Sequence, residues 1–223
     1  MGERLLMAVR SGCGVLRPVW LYHHWLGVKE YFVEMIATAY LELIPERYRG
    51  QFKRQPSLTD WVHALLSYAD DMQVTDERGD RNYLAAIVIN KHTYLFWAPL
   101  NRENFGDYEE KRVFERKFMT LISEYPETCT IDWAERNMVR PLQELFGSLN
   151  DSLTVRLDDP QELAGMMNQA IEGYRQIIHS LTTTYSRDAL NNHPYLSHVI
   201  QRSERSIEHL TSLLAKVVIE GLE

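Results

Sequence analysis

The chain has 223 residues, 45% of them hydrophobic and 25% charged, with a formal net charge of −7. That length builds one large domain or two small ones, and the composition is that of a folded chain, not a disordered one. The acidic balance disfavours broad attraction to nucleic-acid phosphate. Two cysteines make neither a disulfide framework nor a metal cluster, and no apolar run approaches the ~20 residues of a membrane helix. Reduced thiols and a cytoplasmic location are the expectation.

Residues 1–18 read as a flexible leader. Leu5–Val9 lies between Arg4 and Arg10, too short for a secretory signal, and Gly12 and Gly14 oppose a helix. From Val19 to Leu43 the apolar residues Leu21, Trp25, Val28, Phe32, Met35, Ala39 and Leu43 recur at helical spacing, and Pro45 ends the helix. Arg47, Arg49, Lys53 and Arg54 follow in a polar stretch, the local candidate for anion contact. Ser57 and Asp60 form a capping-box pattern ahead of a helix that buries Leu58, Trp61, Val62, Leu65, Ala69 and Met72. Thr75–Asp80 is a loop on composition.

Ile87-Val88-Ile89 and Thr93–Trp97, rich in β-branched and aromatic residues, predict a small β-hairpin within residues 83–97. Both arms are apolar on both faces, so helices must cover it. A helix over Tyr108–Tyr125 and another from Asp132 through Leu149, kinked or restarted at Pro141, come next. Gly147–Asp159 reads either as a linker or, from the alternation Leu153, Val155, Leu157, as a docked extended piece.

Asp159-Pro160-Gln161-Glu162 is a strong helix start, and Leu163, Met167, Ala170, Tyr174, Ile177 and Leu181 then repeat at a 4-3-4-3 spacing. The same spacing runs through Leu196, Ile200, Ser203, Ile207, Leu210, Leu214 and Val217, with only Ser203 polar. About nine residues, Tyr185–His193, join the two helices, and Pro194 suits the first turn of the second. They fold back as an antiparallel pair. The expected fold is mainly α: a bundle of about seven helices with one small hairpin. Residues 19–150 form a helical domain and 158–223 a hairpin packed on it, or 19–223 is a single domain.

Chemistry is sparse. His23 and His24 among aromatics invite a metal or haem reading. A carboxylate-bridged di-metal bundle needs paired Glu-x-x-His motifs, and Asp60-x-x-His63 stands alone. There is no Gly-x-Ser-x-Gly elbow and no glycine-rich phosphate loop. No metal or cofactor is expected. A winged-helix-like unit over the Ser57 helix and the hairpin would put Trp61 and His63 on a recognition helix. Residues 51–117 carry ten basic and eleven acidic side chains, so no positive field supports DNA contact.

Arg187, five residues, then His193 in the turn of the helical pair resembles the Arg-x(4–6)-His motif of the HEPN superfamily, and Asp188 follows the arginine as it often does there. The resemblance covers no more than a quarter of the chain. It implies a metal-independent ribonuclease in which Arg187 stabilises phosphate charge and His193 acts as general acid or base. Arg17 to His23, Arg17 to His24 and Arg202 to His209 show the same spacing.

The leading reading is a non-enzymatic helical binding protein, a subunit or regulator in a larger assembly. Its partner is another protein, or a second copy met through Leu196, Ile200, Ile207, Leu210, Leu214 and Val217. No membrane is expected as partner, and RNA only under the ribonuclease alternative.

Overall fold

The computed structural model describes residues 3–12, 16–44, 55–76, 81–124, 126 and 129–220, the side chains at 187, 191 and 218–220 aside. The basic stretch Arg47–Arg54 and Cys13-Gly14 lie outside the described residues. The strands are β1 (Leu5–Ser11), β2 (Val19–His23), β3 (Gln73–Thr75), β4 (Tyr83–Ile89), β5 (Thr93–Pro99) and β6 (Leu153–Arg156). The helices are α1 (Lys29–Thr38), α2 (Leu58–Tyr68), α3 (Tyr108–Ser123), α4 (Ile131–Ala134), α5 (Arg140–Gly147), α6 (Pro160–Thr184), α7 (Arg187–Asn192) and α8 (Pro194–Glu220).

The six strands form one mixed sheet in the order β3-β2-β1-β4-β5-β6. β1 and β4 run parallel, with Leu5 opposite Tyr83 and Ser11 opposite Ile89; every other pair is antiparallel. The mainly helical bundle with one small hairpin is therefore corrected to an α/β fold. The hairpin is present, as β4 and β5 with Ile89 opposite Thr93, but it sits inside a six-stranded sheet.

The largest correction is β1. Leu5, Leu6, Met7, Ala8 and Val9 are fully buried, so the stretch read as a leader is a central strand. Leu5, Met7 and Val9 face the layer of α1, α2, α6 and α8, while Leu6 and Ala8 face the layer of α3 and α5. A strand covered on both faces has no polar side to alternate with, so its period of two vanishes from the sequence. The predicted helix from Val19 begins instead as strand β2, antiparallel to β1, and the helix starts only at Lys29.

Several local readings hold. Ser57 and Asp60 make the capping box of α2, and the N–H of Asp60 donates to Ser57 Oγ at 3.2 Å. Asp159 caps α6 by accepting from the N–H groups of Gln161 and Glu162, ahead of Pro160 in the first turn. Of the two readings of Gly147–Asp159 the docked one stands: β6 pairs with the edge of β5, Leu153 opposite Trp97. The Asp132 cap is corrected to Thr130, whose hydroxyl accepts from the Trp133 N–H. The helix then continues through Pro141 because Glu135–Val139 widens into a π turn. Its i−5 bond, Arg140 N–H to Glu135 O, gives the proline ring room that an α turn would deny.

Candidate functional site

Two helices of 25 and 27 residues dominate the face of the sheet that carries Leu5, Met7 and Val9. In α6 the residues Leu163, Met166, Met167, Ala170, Ile171 and Tyr174 are buried, and none of the described side chains beyond Tyr174 is. In α8 burial begins at Ser203 and continues through Ser206, Leu210, Leu213 and Val217. Arg175–Arg202 therefore projects as an arm of two helical segments joined by the short α7. Ten residues of helix carry each segment about 15 Å beyond the last buried turn.

Along this arm the apolar stripe persists without the cover it has at the base. Ile177, Ile178, Leu181, Leu196, Val199 and Ile200 are half-buried, and Tyr185 and Tyr195 are exposed, Tyr195 at 70%. The six residues expected to form one binding seam thus divide. Leu210 and Val217 belong to the core, Ile207 and Leu214 flank it half-buried, and Leu196 and Ile200 lie on the arm. Arg187 opens α7 and His193 closes it, capped at the start by Ser186 Oγ accepting from the Ala189 N–H. His193 is exposed.

The base of the arm is held by a polar seam that sequence reasoning missed. α1 lies in the furrow between α6 and α8, and its Glu34 Oε2 accepts from the Tyr174 hydroxyl at 2.8 Å and from the Ser206 hydroxyl at 2.9 Å. Thr38 Oγ1 lies 2.9 Å from His209 Nε2, and Lys216 Nζ donates to Glu42 Oε1 at 2.6 Å. The Arg202 guanidinium sits 4.4 Å from the centre of the Tyr31 ring, a cation–π contact at the first turn of α1. Burial and the Glu34 charge push the Tyr174 and Tyr68 phenols far above their usual range, so both stay protonated donors. Ser206 carries the hydroxyl that α8 brings to this seam, whereas Ser203, the lone break in the apolar stripe, is buried with no hydrogen-bond partner for its Oγ among the described residues.

A second polar cluster lies where β5 begins. Asp158 Oδ2 accepts from His92 Nδ1 at 2.7 Å, and its Oδ1 accepts from the Thr93 N–H at 3.1 Å. Gln55 completes the ring, donating to Asp158 and accepting the buried Thr93 hydroxyl at 2.7 Å. On the opposite face of the same strand, the Tyr94 hydroxyl faces Glu135. Burial and that carboxylate push its pKa up to about 12. A carboxylate-oriented imidazole is the geometry of a general base. The Asp158 bonds, however, tie the β6–α6 loop to the start of β5 and to the segment ahead of α2, and no nucleophile lies on His92 Nε2 among the described residues.

His23 braces the β2–α1 turn. His23 is buried and its Nδ1 accepts from the N–H groups of Trp25 and Leu26 at 3.0 and 3.1 Å. Trp61 is fully buried and stacks on Tyr40, with ring centres 5.7 Å apart, so it is closed to any nucleic acid. Among the described residues no group of three or more His, Cys, Asp or Glu side chains is placed to hold a metal ion, and no helix is long and apolar enough to cross a membrane. No family model, curated protein or solved structure matches the chain.

Proposed function

We propose that the protein is a non-enzymatic binding and assembly component that engages another protein through the arm formed by α6, α7 and α8. One observation carries the reading: the stripe that the body buries up to Tyr174 and from Ser203 onward continues, half-buried, for two to three turns on each side of the arm. A helical face of this kind is stable in water when something else covers it, and two short helices do not cover one another fully.

The ribonuclease alternative rests on Arg187 and His193 at the tip. The HEPN superfamily consists of helical bundles, and a mixed six-stranded sheet is a different scaffold. The two readings separate in one assay. Labelled RNA is incubated in EDTA with the wild type, Arg187→Ala and His193→Ala; the expected result is no cleavage by any of them. Cleavage by the wild type that both substitutions abolish overturns the binding reading. In parallel, tagged wild type and Leu196→Asp are isolated from the cells that make the protein. A defined partner retained by the first and lost by the second is expected, and equal retention removes the arm from the function.

A further inference from the structure

We propose that the arm receives an acidic amphipathic helix from its partner, laid end to end with α1 in the furrow between α6 and α8. The inference rests on the binding reading above and names the chemistry of what is bound. Two independent observations carry it.

The first is shape. α1 occupies the furrow only from its first turn, where Tyr31 packs on Tyr174 at 5.7 Å between ring centres and Arg202 covers Tyr31. Stepping the buried stripes outward by one heptad, Ala170 and Tyr174 lead to Ile177 and Leu181, and Ser203 and Ser206 lead to Leu196 and Val199. The same furrow therefore continues past the N-terminus of α1, lined by apolar side chains that are only half-buried. Its width between the two helices is already matched to one helix, because α1 fills it at the base. The occupant that fits is a helix with apolar residues at i, i+3, i+4 and i+7.

The second is charge. Residues 175–202 hold three arginines, one aspartate and three histidines, so the arm is formally +2 within a chain of −7, which leaves −9 on the remainder; Arg175 pairs with Glu172 at 3.7 Å, one turn nearer the body. An arm of opposite sign to the body selects a partner with acidic flanks and disfavours pairing of one arm with another. The furrow already seats acidic side chains at its base. The helix there presents Glu34 to the Tyr174 and Ser206 hydroxyls and presses Glu30 against Gly173, where a Cβ would lie 2.2 Å from Glu30 Oε1, and the π turn that follows it presents Glu42 to Lys216.

The test uses the full chain and a fluorescein-labelled peptide spanning α1 and the π turn after it, Lys29–Leu43, beside a control peptide carrying Lys in place of Glu30, Glu34 and Glu42. Fluorescence anisotropy is read at low and at raised salt. The acidic peptide is expected to bind, the control at least about tenfold more weakly, and added salt to weaken the acidic peptide. Leu196→Asp and, independently, Arg175→Glu on the exposed side of the arm are expected to weaken binding about tenfold and about threefold, with circular-dichroism melts like the wild type. Equal binding of both peptides, or binding indifferent to both substitutions, overturns the proposal. So does a concentration-dependent dimer by light scattering that Leu196→Asp abolishes, which makes the occupant a second copy. Tight arm-dependent binding of a single-stranded RNA oligomer with none of the peptide overturns it too. Failure of the peptide while arm-dependent partner capture persists removes the acidic helix and leaves the binding function standing.

Discussion

Glu34 joins three helices through two hydroxyl donors, and the fully buried Tyr174 depends on it for a hydrogen-bond partner. Glu34→Ala strands that phenol, at a cost of about 2–4 kcal/mol, the sum of a charge-assisted bond and an unpaired buried group. Glu34→Gln, which keeps an acceptor, should lose less than half of that. Urea denaturation of the two variants beside the wild type measures both. His23 supplies a pH dependence. Burial lowers its pKa from the ordinary 6.5, and its Nδ1 must stay unprotonated to accept the Trp25 and Leu26 N–H groups. Above 6.5 the imidazole is neutral in both the folded and the unfolded chain, and its contribution is complete. As pH falls below 6.5 the unfolded chain takes up the proton first, so stability declines until the lowered folded pKa is passed. Thermal melts from pH 8 to 5 should show that decline, and His23→Asn should flatten it. Neither site was legible in the sequence. Glu34 is one of 31 acidic residues, and only the packing of α1 against α6 and α8 singles it out.

At the scale of elements the local signals held where the chemistry was local. The Ser57–Asp60 box and the Asp159-Pro160 start are each contained within a few residues and appear in the structure, while the 4-3-4-3 stripe of α6 is buried from Leu163 to Tyr174 and only half-buried at Ile177 and Leu181. The stripe of α8 is periodic along its length, from Leu196 to Val217, and periodicity alone makes it one face. The structure divides it into a core half and an arm half. That division predicts unequal effects. Leu210→Ala removes a fully buried side chain and should cost about 2–4 kcal/mol. Leu196→Ala, half-buried on the arm, should cost under about 1 kcal/mol while weakening partner binding. Chemical denaturation of both variants decides it, and equal losses would mean that the arm is part of the core. Outside the β4–β5 hairpin the strands escaped this kind of signal, and the helix expected from Val19 starts only at Lys29. Leu5–Val9 and Tyr83–Ile89 run apolar on both faces, so neither shows an alternation, and β1 also lacked the turn and aromatic signals that marked the hairpin.

The whole molecule turns on β1. It pairs with β2 on one side and β4 on the other, and its residues feed both hydrophobic cores. Deletion of residues 1–11 should therefore abolish the cooperative thermal transition, a result a calorimetric scan or a circular-dichroism melt reads directly. A flexible leader would leave the transition unchanged. The sequence by itself determined the capped helices, the β4–β5 hairpin, the antiparallel pairing of α6 with α8 and the acidic balance of the chain, because all of these follow from contacts between near neighbours or from composition. Only the tertiary structure decided that the hairpin belongs to a six-stranded sheet, that the N-terminal stretch is a central strand, and that the C-terminal pair outgrows its core as an arm. Those features depend on pairings across 70 residues or more, such as Leu5 with Tyr83 and Glu34 with Ser206, and residue spacing along the chain carries no record of them.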